Sequence, residues 1–149
     1  MPVPDLQVIE PLTFARLHGV RVTARPTAID EVQWPPAAMV IRIAPDDAFV
    51  IDASLDDAAD VGRHDAHAIV EDEGMFCGAW LDARQLHRLV ERLEWPLPAA
   101  RPALAQGMAA GLSIKLWLED ERTLLIVSGS VLHEVPERLG PVSGGGVSR

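Results

Sequence analysis

The 149-residue chain has one cysteine, Cys77, one lysine, Lys115, three phenylalanines and no tyrosine. A single cysteine excludes an intrachain disulfide and suits a reducing interior. Cationic charge is also scarce. Thirteen basic residues face 22 acidic ones, for a net charge of -9, which disfavours nonspecific attraction to nucleic acid or anionic lipid. No apolar run approaches the roughly 18 residues of a transmembrane helix, and no charged-then-apolar leader opens the chain. A soluble, cytoplasmic protein is therefore expected. Phosphate-binding glycine loops and a G-x-S-x-G nucleophile turn are missing too, so no standard nucleotide or acyl-transfer motif is present.

What the chain does contain is apolar residues, 48% of the total, enough for a folded core at this length. The clearest pattern lies near the C-terminus. Leu112, Ile114, Leu116 and Leu118 alternate with Ser113, Lys115 and Trp117, the period of a strand with one inward face. Glu119-Asp120-Glu121-Arg122 is too polar for burial and predicts a turn. Thr123 to Val127 then predicts a strand covered on both faces, followed by a short helix that carries His133.

Further strands are predicted at Val20 to Thr23, Met39 to Ile43, Ala48 to Asp52, Ala68 to Val70 and Met75 to Leu81. Pro45 presets a turn between the second and third of these, so a hairpin is expected. Thr27 with Asp30 suggests a weak cap for a turn over Ala28 to Val32. Asp82 with Gln85 three residues on predicts a capping box, and Leu86, Leu89, Val90 and Leu93 repeat at helical spacing. Trp95-Pro96 should end that helix. Residues 54–73 read as an acidic loop.

These elements predict an α+β fold, a mainly antiparallel sheet with a few helices packed on it. A single domain is expected over residues 1–140, with a disordered Gly/Ser tail at 141–149. The expected core comprises Met39, Ile41, Ile43, Phe49, Ile51, Leu86, Leu89, Val90, Leu93, Ile114, Leu116, Leu118, Leu124 and Ile126. The hairpin and the two C-terminal strands are expected to share one sheet.

Candidate chemistry is sparse. His64, Asp65 and His67, followed by Glu71, Asp72 and Glu73, have metal-ligand residue types but match no standard spacing. A solvated acidic loop is the plainer account. The loop beginning at Asp52 resembles a calcium loop only at its start, since Asp57 and Arg63 occupy the required glycine and glutamate positions. Cys77 lies in an apolar strand, which predicts a buried, inert thiol. His87 and His133 are isolated. No catalytic, metal-binding or cofactor-binding residue is therefore assigned, and no cofactor is expected. Trp80 and Trp117 stand out as candidate partner contacts, because aromatic residues are enriched at interface centres. A homodimer is the simplest form of association.

Several segments, in order, resemble the gamma subunit of sarcosine oxidase and the related folate-binding domain of glycine-cleavage aminomethyltransferases. They are Ala44-Pro45-Asp46-Asp47 running into Phe49-Val50-Ile51, Leu81 to Leu86, Ala110 to Trp117, and Leu124 to Glu134. The resemblance spans about Met39 to Leu139. It implies an accessory subunit without its own catalytic site, with a folate- or small-molecule-binding protein of one-carbon metabolism as the alternative. Two departures stand against the pattern: Pro136 should interrupt the last helix, and residues 54–73 lack the helix expected after the hairpin.

Overall fold

The structure is a computed structural model and describes residues 12–140. The predicted Gly/Ser tail lies outside the described residues. The fold is α+β with antiparallel sheets, as expected, and the chain divides into two compact units, Arg16–Phe76 and Met1–Ala15 with Cys77–Arg149.

After the two-residue strand β1 (Ala15–Arg16), the first of these units contains β2 (Gly19–Thr23), α1 (Pro26–Asp30), β3 (Met39–Ala44), β4 (Asp47–Ile51), α2 (Leu55–Ala58), α3 (Val61–His64) and β5 (Ile69–Glu73). Its sheet has the order β3-β4-β2-β5. The Pro45 hairpin forms as predicted, with Ala44 opposite Asp47. One face carries Val20, Val22, Ala48 and Val50, packed with Ala28, Ile29, Ala58 and Val61 of the helices. On the other face Phe49 is fully buried, and its ring lies 5.1 Å from that of Phe76. Arg21 of β2 pins three strands together. It forks onto Asp47 of β4 at 2.6 and 2.7 Å and reaches Glu73 of β5 at 3.3 Å. The Asp47 hydrogen bond is the main cause of its raised pKa, and Glu73 adds to it.

The other unit contributes β6 (Phe76–Leu81), α4 (Ala83–Val90), β7 (Ala103–Ala109), β8 (Leu112–Leu118) and β9 (Thr123–Ser128). A 3-10 turn, Gly129–Glu134, and α5 (Val135–Leu139) follow. The five-stranded sheet runs β1-β6-β9-β8-β7. Leu112, Ile114, Leu116 and Leu118 are buried with Leu81, Leu125, Val127 and Leu89, so the predicted inward face of β8 is correct. The capping box at the start of α4 also forms. Asp82 Oδ1 accepts from Gln85 N at 2.9 Å, and Gln85 Oε1 accepts from Asp82 N at 2.8 Å.

Several expectations are corrected. The hairpin and the C-terminal strands lie in separate sheets, because β2 takes the free edge of β4. Side-chain alternation specifies faces, not strand partners. Residues 54–73 are not a loop. Ser54 and Asp57 form a capping box that starts α2, and Asp72 and Val70 pair with Val20 and Val22 through β5. That supplies the helical segment expected after the hairpin. The first helix begins with Pro26 and has no side-chain cap from Thr27. Helix α4 ends at Val90, which is 39% exposed, while Leu93 leaves it to bridge Ala109. Met39, Ile43, Leu86 and Leu93 are half-buried rather than fully buried. Finally, Pro136 sits in the first turn of α5, where its missing N–H costs nothing, so it starts a helix instead of breaking one.

Candidate functional site

The C-terminal unit brings its most chemically distinctive side chains together at one end of the sheet. Glu119 and Arg122 close the β8–β9 turn through Glu119 N donating to Arg122 O at 2.9 Å. The polar composition that predicted this turn therefore also sets the spacing of the two side chains. Glu119 Oε2 accepts from the Trp117 indole N–H at 3.0 Å, and Oε1 accepts from Arg122 Nε at 3.0 Å. The Arg122 guanidinium in turn stands 3.5 Å from the centre of the Trp80 ring. Both candidate tryptophans thus belong to one chain of contacts, Trp117–Glu119–Arg122–Trp80. Strand alternation puts Trp80 on the face opposite Leu81. Trp117 lies opposite Leu124 in the ladder.

Next to this chain is a cleft of about 90 Å³ lined by Asp82, Ala83, Leu86, Arg101 and residues 119–123. Most of its charges are already engaged. Asp82 caps α4. Arg101 Nη1 donates to the carbonyls of Pro98 and Ala100 at 2.7 and 2.8 Å. Arg122 is held by Glu119 and Trp80. Asp120 and Glu121 are exposed and make no ion pair or side-chain hydrogen bond among the described residues. The free charge at this place is negative.

The histidine segment has a different role from the one its residue types suggest. Asp65 is buried, and its carboxylate accepts backbone N–H groups from Arg25 at 2.8 Å and His67 at 2.9 Å. Those two hydrogen bonds, Arg25 first, hold its carboxyl below the usual carboxylate range. It ties residues 64–67 to the start of α1. Reading this segment as solvated missed Asp65, whose sequence signal is an aspartate just after a short helix with room to accept backbone donors. His64 Nε2 lies 3.6 Å from Asp60 Oδ2, whereas His67 is exposed. Glu71 and Asp72 are exposed on β5, and Glu73 belongs to the Arg21 network. Among the described residues no three His, Cys, Asp or Glu side chains are grouped to hold a metal ion. Cys77 is buried, while His87 and His133 are exposed and separate from the cleft. No helix among the described residues is long and apolar enough to cross a membrane.

The sequence matches no family model and no curated protein. Its fold, however, has a solved counterpart. The chain is similar to a chain of heterotetrameric sarcosine oxidase. That enzyme, from Corynebacterium sp. U-96, was solved in complex with pyrrole 2-carboxylate. The match has a TM-score of 0.65 and covers 97% of this chain and 94% of that one at 11% identity. The likeness is one of fold. At that level it agrees with the resemblance noted in the sequence, and it extends that resemblance beyond residues 39–139.

Proposed function

We propose that the chain is an accessory subunit of a larger cytoplasmic assembly, of the sarcosine oxidase gamma-subunit type, with no catalytic site of its own. The observation that carries this reading is the nearly end-to-end fold match with a chain from a heterotetramer. The exposed Trp80, with Arg122 laid over its ring, supports it, because Trp and Arg dominate the energetic centres of protein interfaces. The buried thiol of Cys77 fits a reducing compartment. The folate- or small-molecule-binding reading is the alternative, and no residue is assigned to it.

The test is to purify the tagged chain at native expression level from its own host and measure mass by light scattering alongside sarcosine oxidation. The expected result is a stoichiometric complex much heavier than the 16.2 kDa chain, carrying the activity. A particle of twice the chain mass would favour the homodimer. A monomer with no co-purifying subunit would sink the subunit reading.

A further inference from the structure

We infer that the Trp80–Arg122 rim is a docking surface for a basic side chain, arginine or lysine, of a partner protein. The inference deepens the accessory-subunit reading and rests on it. Trp80 keeps 36% of its surface exposed although it is among the largest apolar side chains here. The guanidinium 3.5 Å above its ring, itself fixed by Glu119, holds the indole in place, so little side-chain freedom is lost on contact.

Charge decides what fits beside it. Arg122 is already paired with Glu119, and Arg101, which donates to two neutral carbonyls, offsets only one of the three remaining carboxylates, Asp82, Asp120 and Glu121. Asp120 and Glu121 have no side-chain donor or cation partner among the described residues. An acidic partner would meet two uncompensated carboxylates, whereas a basic one supplies the missing counterions. The cleft, about 90 Å³, is several times the roughly 10–15 Å³ that one water needs on this measure, enough for one charged head group. The chain's net charge of -9 steers the same kind of partner toward it.

The probe is N-acetyl-arginine amide, added to the purified full chain and followed by two-dimensional NMR at low salt. Saturable shifts are expected at the Trp80 indole N–H and at the amides of residues 119–123. The Asp120→Asn/Glu121→Gln variant should bind about fivefold more weakly, the effect of losing roughly one exposed ion pair. Asp46→Asn, an exposed control in the other unit, should bind like wild type, and N-acetyl-aspartate amide should give no shift. No saturable shift, full retention in the double variant, or equal binding of the aspartate probe would each overturn the inference. A chain that assembles but ignores the probe loses the docking inference alone. One that binds the probe yet remains monomeric in its host loses the subunit reading.

Discussion

The indole of Trp95 fills the space that a side chain at Gly107 would need. A Cβ built at position 107 would come within 2.5 Å of the ring, and the indole N–H donates to the carbonyl of Met108 at 2.8 Å. Glycine is therefore required in the interior of β7, where it would otherwise weaken a strand. Gly107→Ala should destabilise by about 1–3 kcal/mol through overpacking. Combined with Trp95→Ala it should cost less than the sum of the two single changes. Urea unfolding of the three variants tests this, and strict additivity would refute the contact.

Helix α4 offers a contrast between neighbours. Leu89 is fully buried and Val90 is 39% exposed. Leu89→Ala, like Leu116→Ala on β8, should cost about 2–5 kcal/mol, whereas Val90→Ala should stay within about 0.5 kcal/mol. Comparable losses at positions 89 and 90 would show that the helix face is assigned wrongly.

The β7–β8 turn contains a built-in strain. Ala110 and Gly111 both have positive φ, 50° and 85°, the pairing of a type I′ hairpin turn. Alanine pays about 1–2 kcal/mol for the left-handed region, and asparagine less. Ala110→Asn should therefore raise the unfolding midpoint by an amount worth about 0.5–1 kcal/mol. An unchanged or lower midpoint would argue against this turn geometry.

Asp65 sets an acid-side prediction. Its folded carboxyl titrates below its ordinary value, so in the window between the folded and unfolded pKa the unfolded chain binds more protons. The resulting stability is fully present above the unfolded value of about 3.9 and disappears as pH falls through the folded one. Asp65→Asn should flatten the thermal-midpoint profile in that range and leave the slope near neutral pH unchanged. An identical acid limb in the variant would remove Asp65 from the account.

His64 and His67 set a metal prediction. The double variant His64→Ala with His67→Ala should bind no less zinc than wild type, because among the described residues no three His, Cys, Asp or Glu side chains are grouped to hold a metal ion. Zinc analysis of the purified proteins decides this. Stoichiometric zinc in wild type that vanishes in the variant would revive a metal role.

Local signals were legible in the sequence where one segment carried its own explanation. Asp82 with Gln85 announced α4, Pro45 announced its hairpin, and the alternation from Leu112 to Leu118 gave the buried face of β8. Relationships between distant segments were not. Nothing in Val20 to Thr23 says that it inserts between β4 and β5, since its pattern would suit any neighbour. The acidic run after Ser54 hid a capping box, because its carboxylates read equally as solvated charge or as backbone acceptors. The candidate site was half legible. Trp80 and Trp117 stood out by rarity, but Glu119, the residue that links Trp117 to Arg122 and so to Trp80, looked like turn filler.

The Leu93–Ala109 bridge and the Trp95 contact have a bearing on colloidal behaviour. Strand β7 borders its sheet, and a bare border invites foreign chains to add themselves. Leu93 and Trp95 already occupy the Met108–Ala109 end of that border, leaving an intruding strand a shortened template. The bend that ends α4 thus serves as a stopper against edge-to-edge fibre growth.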